Sequence, residues 1–459
     1  MALTLALVAG SAAPARAQPL LHGDVAYLTF QRLMGLVGAA VYHTEGVAAV
    51  MWNGRRLTID PATLRTHLDS RPSALDGRVL LFEDQLWLPL RALELFGAEV
   101  AYEQETREAV LVWFEGEARV PLKGARQLHE PRAKADARGV FDTLRRLSDP
   151  VRLTSLLATA RRTGINAVVL DFKDDSGYLL YPGNHPLARD AGAIRPAASD
   201  VAALVATLRA SGLYVIARVV AFKDTVLARR RPDLAIRAAG TDRPWRSALG
   251  EMWIDPTLPE VTDYVLQVAR AIAALGVDEV QFDYIRFPDS RSSPDVPLPA
   301  RPELRRSEVI AAFLARANRA LHVPISVDLF GIAVWSEQEV IGQSLELILP
   351  HIQVISPMLY PSYFDPAFRS SWGSRRAYQI VREGVERSLA ASGGRVIVRP
   401  WLQAFAASHF ARGPEFLRQQ LDGARDGGAG GFLLWNSRID YANEYQVLRT
   451  WRPATLAGR

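Results

Sequence analysis

The chain has 459 residues, of which 49% are hydrophobic and 22% charged, with a formal net charge of +5 and no cysteine. That length points to about two or three domains and that composition to a folded globular protein, not a disordered one. The missing cysteines exclude disulfides, thiolate metal sites, a cysteine nucleophile and a lipid-anchored N-terminal cysteine. Only Lys123, Lys134, Lys173 and Lys223 are lysines and the arginines are dispersed, so no basic stripe marks a nucleic-acid partner.

Residues 1–8 are an apolar run, followed by small residues and Ala15-Arg16-Ala17 before Gln18. This reads as a signal peptide over 1–17, although the basic residues usual ahead of such a run are missing. No other segment approaches the ~18 uninterrupted apolar residues of a membrane span. The expectation is a secreted or cell-envelope protein with no integral membrane segment in its mature form.

Residues 23–114 read as a small β-rich domain. Runs at 47–52 and 56–59 flank Asn53-Gly54, the strongest short hairpin signal. Runs at 79–82 and 86–90 are joined by Glu83-Asp84-Gln85, a short helix over 90–96 ends at Gly97, and 100–102 pairs with 109–113. With Gly54-Arg55, Leu88-Pro89-Leu90-Arg91 and Phe96-Gly97-Ala98-Glu99-Val100, this stretch resembles the stalk domain related to the N-terminal domain of copper amine oxidases. The resemblance implies a spacer or wall-binding module; no copper site is carried over. Residues 115–138 are charged and lack sustained periodicity, and read as a linker.

From residue 139 to 452 a helix and strand beat takes over. Strand-like runs at 139–142, 166–171, 213–220, 276–288, 324–329, 354–360, 396–401 and 431–435 are separated by helical patterns at 150–163, 200–210, 258–275, 305–321, 337–349, 378–391 and 413–425. About eight strands alternating with helices predict a (β/α)8 TIM barrel. A doubly wound open sheet is the competing arrangement, but no G-x-G-x-x-G follows an early strand.

The stretch 276–288, GVDEVQFDYIRFP, organises the rest. Glu279, Gln281 and Asp283 alternate with Val280, Phe282 and Ile285, the period of a strand with one polar face. In a parallel barrel the C-terminal strand ends carry the catalytic groups. Polar residues fall at these ends: Asp171, Lys173, Asp174 and Asp175 after the second strand, Arg218, Lys223 and Asp224 after the third, and Asp283, Tyr284 and Arg286 after the fourth. Asp328 ends the fifth, Tyr360 the sixth, Arg399 and Trp401 the seventh, and Trp435 the eighth. Helix caps and structural ion pairs would account for any one of them singly, but account poorly for the whole ring.

Residues 166–182 (NAVVLDFKDDSGYLLYP), 213–232, 253–256, 276–288 and 431–440 resemble the glycoside hydrolase family known as domain of unknown function 4015, related to α-amylase-type barrels. The resemblance spans essentially 139–452. It implies a catalytic carboxylate on the fourth strand, matching Asp283, whereas α-amylases carry a Glu after the fifth strand where this chain has Asp328.

The chemistry agrees with that reading. Breaking a glycosidic bond takes two flanking carboxyl groups, one a nucleophile or base and the other a proton donor. Asp283 and Asp328, with Asp171, are the candidate catalytic set; Lys173, Asp174, Arg218, Lys223, Tyr284, Arg286, Tyr360, Arg399, Trp401 and Trp435 are the candidate substrate-binding set. The implied partner is a polysaccharide or oligosaccharide, with cell-wall association through the first domain. No G-x-S-x-G, H-x-H or H-E-x-x-H is present, so neither a serine hydrolase nor a metal or other cofactor is called for. Two alternatives stay open: a non-catalytic glycan-binding wall protein, and a polysaccharide deacetylase or lyase.

Overall fold

The computed structural model describes residues 18–451 apart from 23–24, 45–46, 61–65, 74–78, 83–84, 124, 128–131, 290–295, 369 and 408–412. The segment expected to be a signal peptide, 1–17, lies outside the described residues. Two compact units divide the chain, Met1–Glu130 and Pro131–Arg459. Among the described residues no helix is long and apolar enough to cross a membrane.

The first unit is built from antiparallel hairpins. Val47–Trp52 pairs with Arg55–Ile59 across Asn53 and Gly54, whose φ angles of 46° and 71° are those of a type I′ turn. Leu80–Phe82 pairs with Gln85–Pro89, and the 3₁₀ helix Leu90–Phe96 stops at Gly97, φ 88°. One apolar cluster, including Leu28, Leu33, Leu57, Leu88 and Leu111, underlies these elements. The linker expected over 115–138 is corrected at both ends. Gly116–Pro121 is a strand paired residue by residue with Glu108–Trp113, and the first barrel strand already begins at Ala137. Buried Val120 supplies the apolar anchor that the charged sequence around it hid.

The second unit is a closed barrel of eight parallel strands. They are β1 Ala137–Thr143, β2 Ala167–Lys173, β3 Tyr214–Val220, β4 Glu279–Asp283, β5 Ile325–Phe330, β6 Val354–Met358, β7 in two pieces, Ile397–Val398 and Trp401–Gln403, and β8 Gly431–Trp435. Each pairs in parallel with the next, and β8 returns to β1. Helices Pro150–Thr163, Val201–Ala210, Pro259–Ala273, Arg306–Ala320, Arg376–Ser392 and Pro414–Asp426 fall between strands. The helix expected over 337–349 is instead a 3₁₀ turn, Glu339–Ile341, and a single α turn, Leu345–Ile348. Gly342 between them has φ 77°, and a Cβ there would come within 2.8 Å of the Arg306 carbonyl, so the chain turns where a helix would continue.

Strand β4 shows why the barrel interior is polar. Phe282 faces the helices, its ring 5.3 Å from Phe313. The alternate residues point inward at three heights: Glu279 meets Arg399 from β7, Gln281 meets Ser356 from β6 at 3.3 Å, and Asp283 meets Arg218 from β3. The alternation read in the sequence is thus a stack of layers, with Asp283 at the C-terminal rim.

Candidate active site

Arg218 is the hub of the rim. It is almost wholly buried, 2% exposed, and its guanidinium reaches three carboxylates. Nε and Nη2 donate to Asp283 Oδ2 at 2.9 and 2.6 Å, Nη1 donates to Asp171 Oδ1 at 2.6 Å, and Nη2 donates to Asp175 Oδ1 at 2.8 Å. The planar fork of arginine suits such an arrangement, since one rigid cation can orient several acids at once. Register explains the meeting: Asp171 stands beside Arg218 in the β2–β3 ladder and Asp283 two residues higher, beside Val220.

The two acids next to Asp283 sit in different fields. Burial pushes the Asp171 carboxyl up to about 6, even with Arg218 pulling it down. Asp328, on β5, is pushed well above the usual carboxylate range, first by burial and then by the negative charge of Asp283. Its hydrogen bond from Trp401 Nε1 to Oδ1, 2.7 Å, and Arg218 both oppose that rise without cancelling it.

Backbone and aromatic groups fix the rest. Tyr284 adopts φ 48°, a left-handed conformation that costs a non-glycine residue on the order of 1–3 kcal/mol, and its N–H donates to Asp283 Oδ1 at 2.6 Å. Lys223 Nζ lies 4.2 Å from the centre of the Tyr284 ring and donates to Glu251 Oε1 at 2.8 Å. The Arg286 guanidinium stacks against Trp253 and Phe330, 4.7 and 4.5 Å from their ring centres. Asp283, Asp328, Asp175, Arg218, Tyr284 and Arg286 open into a cavity of about 280 Å³ whose remaining walls include Tyr360, Trp401 and Trp435.

Ten of the thirteen sequence candidates therefore gather at one rim, counting Asp171 through Arg218 and Lys223 through Tyr284. Three do not. Lys173 is fully buried, bonded to Asp224 Oδ2 at 2.8 Å and to the Val220 carbonyl at 2.9 Å, because a bulge between Asp171 and Lys173 turns it off the face that carries Asp171. Asp174 folds its own loop, Oδ1 accepting the N–H groups of Ser176, Gly177 and Tyr178. Arg399 lies at the opposite end of the barrel, in the break between the two pieces of β7, where it clasps Glu279 at 2.9 and 3.1 Å. Trp401 is at the rim, but as a buried hydrogen-bond donor to Asp328 rather than an open face for a sugar. The sequence reading placed Asp175 at the end of the second strand but gave it no role, and it passed over Phe330 and Tyr363.

Residues 139–441 match a family model described as "Putative glycosyl hydrolase domain", the family that the strand-end motifs resemble. No curated protein matches the sequence. Among solved structures, a hypothetical protein from Ruminiclostridium thermocellum is 32% identical over 41% of this chain and 96% of its own, with a TM-score of 0.38. The glycoside hydrolase domain of PgaB (BpsB) from Bordetella bronchiseptica is 17% identical, covers 68% of this chain and 98% of its own, and superimposes with a TM-score of 0.51, a likeness of fold.

Proposed function

The chain belongs to the glycosyl hydrolase domain family that its residues 139–441 match, and from that premise we propose that it hydrolyses glycosidic bonds in an extracellular or cell-wall polysaccharide, with Asp283 as nucleophile or base and Asp328 as proton donor. One observation carries the reading: two buried strand-end carboxyls share a cavity in unequal surroundings. Asp283 receives two N–H groups from Arg218, whereas Asp328 receives one indole N–H and is pushed up by burial and by its neighbour. Carboxyls whose environments differ in this way divide acid and base roles between them.

The indole of Trp401 can only donate, so it takes Asp328 Oδ1 as its acceptor and leaves Oδ2 as the oxygen to carry a proton. Protonating the glycosidic oxygen from there while Asp283 activates water to attack the anomeric carbon gives hydrolysis in one step. If Asp283 itself attacks, the leaving sugar departs with the proton and water, deprotonated by the now ionised Asp328, opens the glycosyl ester and frees Asp283. Arg218 and the Tyr284 N–H hold both Asp283 oxygens in place as positive charge develops on the sugar. The export-type sequence pattern at 1–17 and the stalk-like first unit support a place outside the cytoplasm. Release of reducing ends from bacterial exopolysaccharides and wall glycans by the purified protein is the direct test, and no release from any of them would refute the reading.

Two expectations follow from the acids. Asp328→Asn should lower kcat/KM on polysaccharide on the order of a hundredfold and remove the alkaline limb of the pH profile. Aryl glycosides with acidic phenol leaving groups, which need little protonation, should lose far less; equal losses on both substrates would exclude Asp328 as the donor.

The acidic limb should fall near pH 6, where Asp171 takes up its proton. Once Asp171 is neutral, Arg218 draws more strongly on Asp283 and weakens it as a nucleophile. Asp171→Asn should therefore behave at all pH values as the wild type does below that limb, slow and flat through pH 6. Stability runs the opposite way to activity. Asp171 has a higher value folded than unfolded, so the native chain binds the extra proton in that window and gains stability as pH falls through it. A wild-type acidic limb that survives in Asp171→Asn would assign it to another group.

A further inference from the structure

The reactive cavity is the middle of three. It shares Phe330, Met358 and Tyr363 with a neighbouring cavity of about 490 Å³, and Tyr363 and Trp435 with a third of about 320 Å³. From this continuity, and resting on the hydrolase reading above, we infer that the site is a through-groove that binds a glycan chain on both sides of the cleaved bond, making the enzyme endo-acting, with Tyr363 as the stacking platform at the crossing. An enzyme that trims chain ends needs a wall closing its reactive pocket; among the described residues the lining runs from the reactive cavity into a second cavity through Phe330 and Met358 and into a third through Trp435.

Tyr363 is the second, independent observation. Among the described residues it is the one that lines all three cavities, and it is 72% exposed. The ring packs against Tyr360 and Phe405 yet stays open over the cavities, and aromatic faces are what sugar C–H surfaces stack upon. The ring is held ready: its turn, Pro361–Tyr363, is anchored by the Ser362 N–H donating to Gln403 Oε1 on β7 at 3.1 Å, and it packs edge-on against Tyr360 at 5.3 Å.

The larger arm states what kind of chain fits. Its walls are Phe330, Phe364 and Phe368, the last two braced by Trp335 at 5.3 Å each, with the carboxylates of Asp289 and Asp365 among them. Rings and carboxylates together suit a neutral or amino-bearing glycan, whose hydroxyl or ammonium groups donate to the acids. A polyuronate would set its own carboxylates against them. This holds although the chain as a whole is basic.

The test uses the full-length protein, Tyr363→Ala and Tyr363→Trp with short and long end-labelled oligosaccharides of chitosan, cellulose and polygalacturonate, together with titration of Asp283→Asn by the same chains. Interior cuts from the first turnover are expected on chitosan or cellulose. Tyr363→Ala should raise KM about tenfold on long chains, much less on short ones, with recovery in Tyr363→Trp. Polygalacturonate should be neither cut nor bound. Terminal products only, a Tyr363→Ala defect independent of chain length, or a preference for polygalacturonate would overturn the inference. If nothing is cut, yet Asp283→Asn binds long chains more tightly than short ones and Tyr363→Ala abolishes that gain in the wild-type background, the groove stands and the hydrolase reading falls. Absence of binding to every chain overturns the groove as well.

Discussion

Asp283→Asn is expected to lower the rate of glycan hydrolysis by several orders of magnitude, on the order of 4 kcal/mol or more of transition-state stabilisation, while leaving the fold intact. The substitution keeps the size of the side chain and an oxygen that can accept from Arg218, whose remaining partners Asp171 and Asp175 still balance its buried charge. What it removes is the anion that attacks, or activates water, and that stabilises the oxocarbenium-like transition state. A melting temperature lowered only modestly, because the new amide nitrogen faces the Tyr284 N–H that Oδ1 accepted, combined with near-complete loss of turnover is the expected pair of measurements. Full turnover by the variant would sink the mechanism. Glycan binding by the wild type without any turnover would favour the non-catalytic alternative.

Lys173→Ala should act on stability first, costing about 3–5 kcal/mol, the range for breaking one side of a buried ion pair. Both Lys173 and Asp224 are fully buried, 2.8 Å apart, and removal of the ammonium leaves the Asp224 carboxylate with no countercharge. Asp224 also caps the helix Thr225–Arg230 by accepting the Leu227 N–H, and Gly177 approaches it so closely that no Cβ would fit there. The pair therefore ties the loop after β2 to the loop after β3. In chemical denaturation the double variant Lys173→Met/Asp224→Asn should recover much of the loss, because the uncompensated charge is gone while the cap survives. A single variant that melts like the wild type but binds glycan poorly would return Lys173 to the substrate-binding set.

Asp283 was legible because the alternation of Glu279, Gln281 and Asp283 is local, and any strand with period two must put all three on one face. The same holds for the barrel itself, since eight strand runs spaced by helices leave few other closed parallel arrangements. Asp328 and Trp435 followed from the same logic at the ends of their strands. Lys173 did not, because the bulge that redirects it arises from the register between β2 and β3, not from its own neighbours. Arg399 was misplaced for a related reason: β7 breaks at Arg399 and Pro400, and its partner Glu279 lies 120 residues away.

Tyr363 stands in a short turn with no periodicity to mark it, and only the closure of the barrel brings it beside Trp435. The sequence alone determined which side chains face inward, and at which end they stand, on strands of unbroken period such as β4, because there both follow from the backbone repeat. Which of them meet, and so which carboxyl is held by arginine and which is desolvated, was decided by the tertiary structure, since hydrogen bonds and burial depend on contacts between strands distant in the chain, such as Arg218 and Asp283, 65 residues apart.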